Sequence, residues 1–407
     1  MAVKIINEKC NGCNVCKSFV DCPAGNVKVA IESGRCIGCG ACTIACPQEA
    51  LIIESSNDEE IRVYVNNKEI FASGTVKNAL IAAGVQITRY PYLEDSKNQL
   101  FVPCDCGGCW ACVVKVNGRI SPVCVMPLKN GMKIETKLNE NEIPALRVVS
   151  SFGVHTTGGV GTPYPLKKIQ GPIEVVGFTH GCNLRCPQCQ NFQTALTAGG
   201  HLIDAHEASQ ILLGLKESYE LNRITISGGE STLNRKWLLE VIKSIRSQDN
   251  DVKIHVDTNG TILTSDYIDE LIKSGMTDIG IDLKALDIST YMDITGLDNQ
   301  NLAEKYLKTS WNAVQYIADN YFEDIFLGIG IPYNAALISK DEIRKIGEKI
   351  FKIKDYIQVS VLDYRPEFRR KKILKPSVNE MIEIKELLNK CGLKIVIVQT
   401  EEGHFGP

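Results

Sequence analysis

From residue 173 onward, short apolar, β-branched runs alternate with longer stretches whose apolar positions recur at the helical period. The runs at 173–178, 224–227, 252–256, 279–283, 325–331, 359–362 and 394–398 predict strands. The stretches at 206–216, 236–246, 266–273, 302–320, 341–352 and 378–390 predict helices between them. Gly275 and Gly392 stand where two of these helices end, and Asp204 with Glu207 offers a capping pair for the first. Repeated strand–helix units imply a parallel sheet with right-handed crossovers, as a barrel or an open doubly wound sheet. In either case the chemistry belongs at the carboxyl ends of the strands.

Ahead of residue 173 the pattern is different. Residues 61–71 alternate around Asn66-Asn67 and predict a hairpin, and 76–83 predict a short helix closed by Gly84. A polar stretch at 55–60 precedes them. Gly153, Gly158, Gly159, Gly161, Pro163 and Pro165 crowd together and mark a linker. The expected organisation is a domain at 1–57, a second with its linker at 58–150, and a third at 151–407.

The 407 residues are 44% hydrophobic and 23% charged, which excludes a mainly disordered, collagenous or coiled-coil chain. A net charge of −3 gives no overall field for nucleic acid or an anionic membrane. No apolar run is long enough to span a bilayer, and the amino terminus lacks the regions of a signal peptide, so a soluble cytoplasmic protein is expected. Cysteine changes the picture. Of 17 cysteines, all but Cys391 fall before residue 190, in four groups. In a reducing compartment such density points to metal binding rather than disulfides.

The first group is Cys10-x2-Cys13-x2-Cys16-x5-Cys22-Pro23, and the second is Cys36-x2-Cys39-x2-Cys42-x3-Cys46-Pro47. Residues 4–57 thereby resemble a bacterial two-cluster ferredoxin. The resemblance implies that Cys10, Cys13, Cys16 and Cys46 hold one [4Fe–4S] centre, and that Cys36, Cys39, Cys42 and Cys22 hold the other. The first run departs from the family by its five-residue spacing before Cys22. A zinc ribbon is the alternative, but its two pairs need a longer spacer. The third group, Cys104-x4-Cys109-x2-Cys112 with Cys124, has the plant-type [2Fe–2S] spacing. Residues 60–137 resemble a β-grasp ferredoxin. Cys106 is surplus and leaves Cys106, Cys109 and Cys112 as a rival set for a third cubane or a mixed site.

The fourth group, Cys182-x3-Cys186-x2-Cys189, follows the first predicted strand and has no fourth cysteine nearby. Three thiolates on a cubane leave one iron open to chelation by a small molecule, as a catalytic zinc keeps an open position. Here the chain resembles the radical S-adenosylmethionine superfamily, which implies a partial (β/α)6 TIM-type barrel. Gly228, Gly229 and Glu230 end the second strand and match the family's motif for the amino group of S-adenosylmethionine. Asp257-Thr258-Asn259-Gly260 and Asp282-Leu283-Lys284 end the next two and are similar to signatures of the glycyl-radical-enzyme activases. The resemblance implies that Asp257, Thr258 and Asp282 help to build a cofactor and monovalent-cation site, and that Lys284 contacts the cofactor. The ending Cys189-Gln-Asn191 is shared with the AmmeMemoRadiSam group. Two departures stand out. Gln188 occupies a position that is usually aromatic, with Phe192 as the nearest substitute, and strand six ends Leu362-Asp363-Tyr364-Arg365-Pro366 without the activases' late histidine.

The basic run Arg369-Arg370-Lys371-Lys372 reads as a solvated loop or a seat for an acidic partner. Cys391 reads as a buried small apolar residue, and His155, His180, His206, His255 and His404 have no ligand-like spacing. The combined expectation is an oxygen-sensitive radical enzyme with three [4Fe–4S] clusters, one [2Fe–2S] cluster and S-adenosylmethionine. Its expected partners are an electron donor (ferredoxin, flavodoxin or oxidoreductase) and a protein substrate, with no nucleic acid and no membrane. A small-metabolite substrate and a non-catalytic electron carrier are the alternatives.

Overall fold

A computed structural model describes residues 2–54, 59–91 and 98–407, so most of the polar stretch at 55–60 lies outside the described residues. The chain forms two compact units. One comprises Met1–Ser151, Thr179–Asn183 and Asn191–Asp204, and the other Phe152–Phe178, Leu184–Gln190 and Ala205–Pro407.

The second unit carries the repeated strand–helix pattern. Arg223–Gly228, Lys253–Thr258, Asp278–Asp282, Phe326–Tyr333, Gln358–Asp363 and Val396–Thr400 lie side by side in chain order, each parallel to the next. Glu174–Thr179 is the neighbour ahead of them. Helices cover these strands, which explains why their apolar runs are nearly continuous: Ile224, Ile226, Ile254, Val256, Ile279, Ile281, Ile329 and Val361 are all fully buried. The helices end where local chemistry stops them. Ser339 and Ser377 cap Lys340–Ile353 and Val378–Lys390 with their side chains, and Gly275 ends Ser265–Ser274 at φ +114°.

Three features depart from the sequence expectation. Helix Ile288–Thr295 is short and rich in β-branched and polar residues, so its period is weak. The stretch expected to be a linker begins as strand Leu146–His155, whose residues 146–149 pair antiparallel with His201–Asp204. Asp204 therefore closes a strand immediately before helix Ala205–Ser218. The glycines that follow permit close packing, since a methyl group on Gly161 would lie 2.4 Å from His255 Nε2 and 2.6 Å from the Gly280 backbone nitrogen.

The first unit holds two small cores. Ala2–Ile5 pairs antiparallel with Leu51–Glu54 over a cluster containing Val3, Val27, Cys42, Cys46 and Leu51. A five-stranded sheet runs in the order Lys68–Ala72, Ile61–Val65, Lys133–Glu135, Val113–Val116, Arg119–Pro122. Helix Val76–Ala82 joins a core that includes Val63, Ile134, Cys112 and Cys124. The expected hairpin is present, with Asn66 and Asn67 both at positive φ, as a two-residue hairpin turn requires.

Candidate iron–sulfur and cofactor sites

In the first unit the cysteines gather in sets that cut across their order in the sequence. One cavity is lined by Cys10, Cys13, Cys16 and Cys46, and another by Cys22, Cys36, Cys39 and Cys42. Burial pushes the Cys16 and Cys42 thiols up, and the neighbouring thiols of their own sets push them further. Such crowding disfavours free thiolates, and a cationic iron centre reverses it. Among the described residues no three acidic, cysteine or histidine side chains converge on a point suited to a single metal ion. A cubane, with each thiolate on a different iron, makes no such demand, and these sets fit it.

Cys104, Cys109, Cys112 and Cys124 are fully buried. The Cys112 and Cys124 sulfurs lie 3.7 Å apart, and Cys104 is within hydrogen-bonding reach of Cys106, Cys109 and Cys124. The surplus Cys106 donates from its Sγ to the carbonyl of Thr197 at 3.3 Å. Serine keeps a donor for the Thr197 carbonyl, so Cys106→Ser should change stability by about 1 kcal/mol or less, and the [2Fe–2S] EPR signal should persist. An altered or absent signal would make Cys106 a ligand.

Of the three-cysteine loop, Cys182 falls in the first unit, and Cys186 and Cys189 in the second. The second unit fixes its part of the loop through contacts absent from the sequence reading. Gln188, buried, donates from Nε2 to the Ile294 carbonyl at 2.9 Å, and Arg185 N–H donates to the Thr295 carbonyl at 2.9 Å. The basic run is not simply solvated: the Arg369 and Arg370 amides donate to the Pro187 carbonyl, and Arg370 pairs with Asp293. Helix Ile288–Thr295 thus serves as the backing of the loop. Phe192 lies in the first unit and is buried.

The strand ends place the predicted polar residues. Gly228 takes φ +126°, and Gly229 leads directly to Glu230, which is fully buried. The Glu230 carboxylate accepts from the Thr232 hydroxyl (2.6 Å) and amide (3.1 Å), the Thr258 hydroxyl (2.6 Å) and the Asn259 amide (2.7 Å). Burial pushes its carboxyl pKa up, against the pull of these donors. Lys284 Nζ donates to Asp282 Oδ2 at 2.7 Å and to Tyr364 OH at 3.0 Å. Burial would lower the ammonium, but Asp282, Tyr364 and Cys186 hold it well above its usual range. Burial raises the Cys186 thiol, and the Lys284 charge opposes this. Tyr364 follows strand six, where the activases' histidine was missed in the sequence.

Asp257 has a different role from Thr258. Its Oδ1 accepts from the Val160 and Gly161 amides and lies 2.9 Å from His255 Nε2. Behind it stands a buried ionic network. Glu174 accepts from Thr162 and the Gly159 amide, with His155 Nδ1 at 3.1 Å and Arg223 Nε at 3.6 Å; Arg223 also pairs with Asp278 at 3.1 Å. Neither histidine has a role legible in the sequence, because the carboxylate they share, Glu174, is distant in the chain. Cys391 is half-buried rather than buried, and its Sγ donates to the Leu387 carbonyl.

Burial alone would lower His255, but the carboxylates of Asp257 and Glu174 outweigh it and raise its pKa from 6.5 to about 9. A raised folded-state pKa stabilises fully below the unfolded value and is lost as pH climbs through the folded one. Lys167, lowered by burial to about 8, opposes the loss only above that pH, and His404, lowered by burial to about 4, acts below 6.5. From pH 6.5 to 8 the second unit should therefore lose about 2 kcal/mol of unfolding free energy. Denaturant titrations should show the slope, and His255→Gln should flatten it. A slope unchanged in that variant would remove His255 as its source.

Known domain families match three stretches of the chain. The Radical SAM superfamily matches residues 176–334, a 2Fe-2S iron-sulfur cluster binding domain 58–138, and a 4Fe-4S binding domain 29–52. The chain carries a radical S-adenosylmethionine superfamily domain together with ferredoxin-type iron–sulfur domains in an α/β architecture, which supports iron–sulfur clusters and S-adenosylmethionine as cofactors. Within that class it is related to glycyl-radical-enzyme activating enzymes. The pyruvate formate-lyase-activating enzyme of Clostridium pasteurianum is 28% identical over 205 residues, covering 48% of this chain and 77% of that one. A Methanocaldococcus jannaschii protein assigned as a glycyl-radical enzyme activating enzyme is 26% identical over 254 residues, covering 60% and 93%. The crystal structure of Streptococcus suis SuiB aligns with a TM-score of 0.43 at 16% identity, over 54% of this chain and about half (47%) of that one. No helix among the described residues is long and apolar enough to cross a membrane.

Proposed function

We propose that this protein cleaves S-adenosylmethionine reductively, using electrons from its own ferredoxin domains, and activates a protein substrate by hydrogen abstraction. The observation that carries the reading is the grouping, in the second unit, of Cys186 beside Lys284 with Glu230 and Thr258 hydrogen-bonded at neighbouring strand ends. A partial barrel would put all of these on its catalytic face. Cys182, Cys186 and Cys189 would hold a [4Fe–4S] cluster with one open iron. When bound there, such a cluster would supply one-electron reduction to the sulfonium of S-adenosylmethionine.

The chain's own residues bind and orient. Glu230, its carboxylate fixed by four donors, offers negative charge to the cofactor's ammonium, while Gly228 and Gly229 let backbone approach it. Lys284 is held rigid by Asp282 and Tyr364, so its charge is already in place when cofactor arrives. Thr258 orients Glu230, and Asp257 instead ties the strand end to the 159–161 segment. We assign Cys10, Cys13, Cys16 and Cys46 to one further [4Fe–4S] centre and Cys22, Cys36, Cys39 and Cys42 to another. Cys104, Cys109, Cys112 and Cys124 would hold a [2Fe–2S] centre in the β-grasp domain. The domain reading remains 1–57, 58–150 and 151–407.

Protein reconstituted without oxygen should hold about 14 iron atoms per chain. Reduced with dithionite and given S-adenosylmethionine, it should form 5′-deoxyadenosine even without its substrate. No cleavage with every cluster reduced would leave an electron carrier instead. Mixed with a glycyl-radical enzyme, it should raise a glycyl-radical EPR signal; turnover only with a small metabolite would replace the activase reading.

A further inference from the structure

The cysteine sites of the first unit fall into a spatial order that their spacing in the sequence does not disclose. The two amino-terminal sets are neighbours: Cys42 of one and Cys46 of the other belong to a single buried cluster, against which Cys16, Cys22 and Cys36 pack. The set of Cys22, Cys36, Cys39 and Cys42 in turn lies against the sheet domain. A methyl group on Gly74 would stand 3.1 Å from the Ile37 carbonyl oxygen, and Lys77 lies on the helix that follows Gly74. The same Lys77 bonds Asp105 at 2.9 Å, and Asp105 sits between Cys104 and Cys106.

The 104–109 loop then meets the segment that carries Cys182, within the same unit. Only glycine fits on either side. A methyl group on Gly108 would lie 2.7 Å from His180 Cβ and 3.0 Å from the Gly181 amide nitrogen. One on Gly181 would lie 3.0 Å from the Cys109 amide nitrogen and 3.1 Å from Cys104 Cβ. The contact is braced from both flanks. Val148 N–H donates to the Gly108 carbonyl and His180 N–H to the Val148 carbonyl, while Arg147 donates to the His180 carbonyl. Cys106 ties the loop to Thr197, whose hydroxyl is 3.2 Å from His180 Nδ1. The amino-terminal domain also touches this region, where the Gly199 amide donates to the Phe19 carbonyl, but neither residue is a cysteine.

We propose that the site of Cys104, Cys109, Cys112 and Cys124 is the last electron station before Cys182, and that electrons entering at the amino-terminal sets pass through it. The inference rests on the proposed electron delivery by the fused domains and names its order. An external one-electron donor of the ferredoxin or flavodoxin class reduces the amino-terminal centres. One electron at a time then leaves the station and is taken up at the Cys182 loop, with no bond made and no proton moved. Close backbone packing substitutes a fixed short separation for diffusional encounter.

The test is magnetic. In anaerobically reconstituted, fully reduced holoprotein, pulsed EPR should show the cluster of the 182–189 loop relaxing fast because of a neighbouring spin. Cys109→Ser should remove that enhancement, and Cys39→Ser should leave it. Gly108→Ala keeps every thiol and should lose part of it by parting the two segments. Enhancement that survives Cys109→Ser, that disappears equally in Cys39→Ser, or that is unchanged in Gly108→Ala would overturn the order. Formation of 5′-deoxyadenosine with dithionite, measured on the same wild-type sample, separates the two claims: its absence removes the proposed reaction, whereas the spin coupling reports the order alone.

Discussion

Cys186→Ala is expected to abolish 5′-deoxyadenosine formation completely while the clusters of the first unit remain assembled. Three thiolates are the fewest that keep a cubane in place with one iron open, and the Cys186 thiol lies beside Lys284, the charge that counters its burial most strongly. The first unit contains the other cysteine sets, with hydrophobic cores of its own, so their EPR signals and iron content should stay near wild type. Anaerobic product analysis with dithionite, together with EPR of the same sample, reads both halves. Cleavage that survives the substitution would remove the assignment of the open-iron site to this loop.

Glu174→Gln should destabilise the second unit by about 3–5 kcal/mol, the usual cost of removing one partner from a buried ionic group. Glu174 is fully buried and faces His155, His255 and Arg223. Those interactions hold its carboxyl well below the usual range in spite of burial. The amide keeps the volume and loses the charge, so His255 and Arg223 must share Asp257 and Asp278. Denaturant unfolding followed by a probe in the second unit gives the number. A loss below about 1 kcal/mol would mean that the network shapes the strand ends without stabilising them.

The two predictions also mark where sequence reasoning succeeded and where it ran out. Strands and helices of the second unit were legible because their signals are local: apolar runs of strand length, amphipathic stretches, and Gly275 and Gly392 behind two of the helices. Helix Ile288–Thr295 escaped because its eight residues bury only three side chains, too few to impose a period. The glycines near 160 read as a linker because composition does not distinguish a flexible glycine from one required by close packing.

What the sequence by itself determined was the class of chemistry. Thiol spacing of two and three residues dictates cluster ligation within a loop, and the motifs at three successive strand ends must share one edge of a parallel sheet. Only the tertiary structure decided which distant groups meet: Lys284 with Tyr364, Arg370 with Asp293, and Glu174 with His255. These pairs lie tens of residues apart, and their contact depends on strand order and crossover rather than on any local preference of the chain. Burial then fixes their protonation and strength, because a charge acts strongly only where the fold has taken water away.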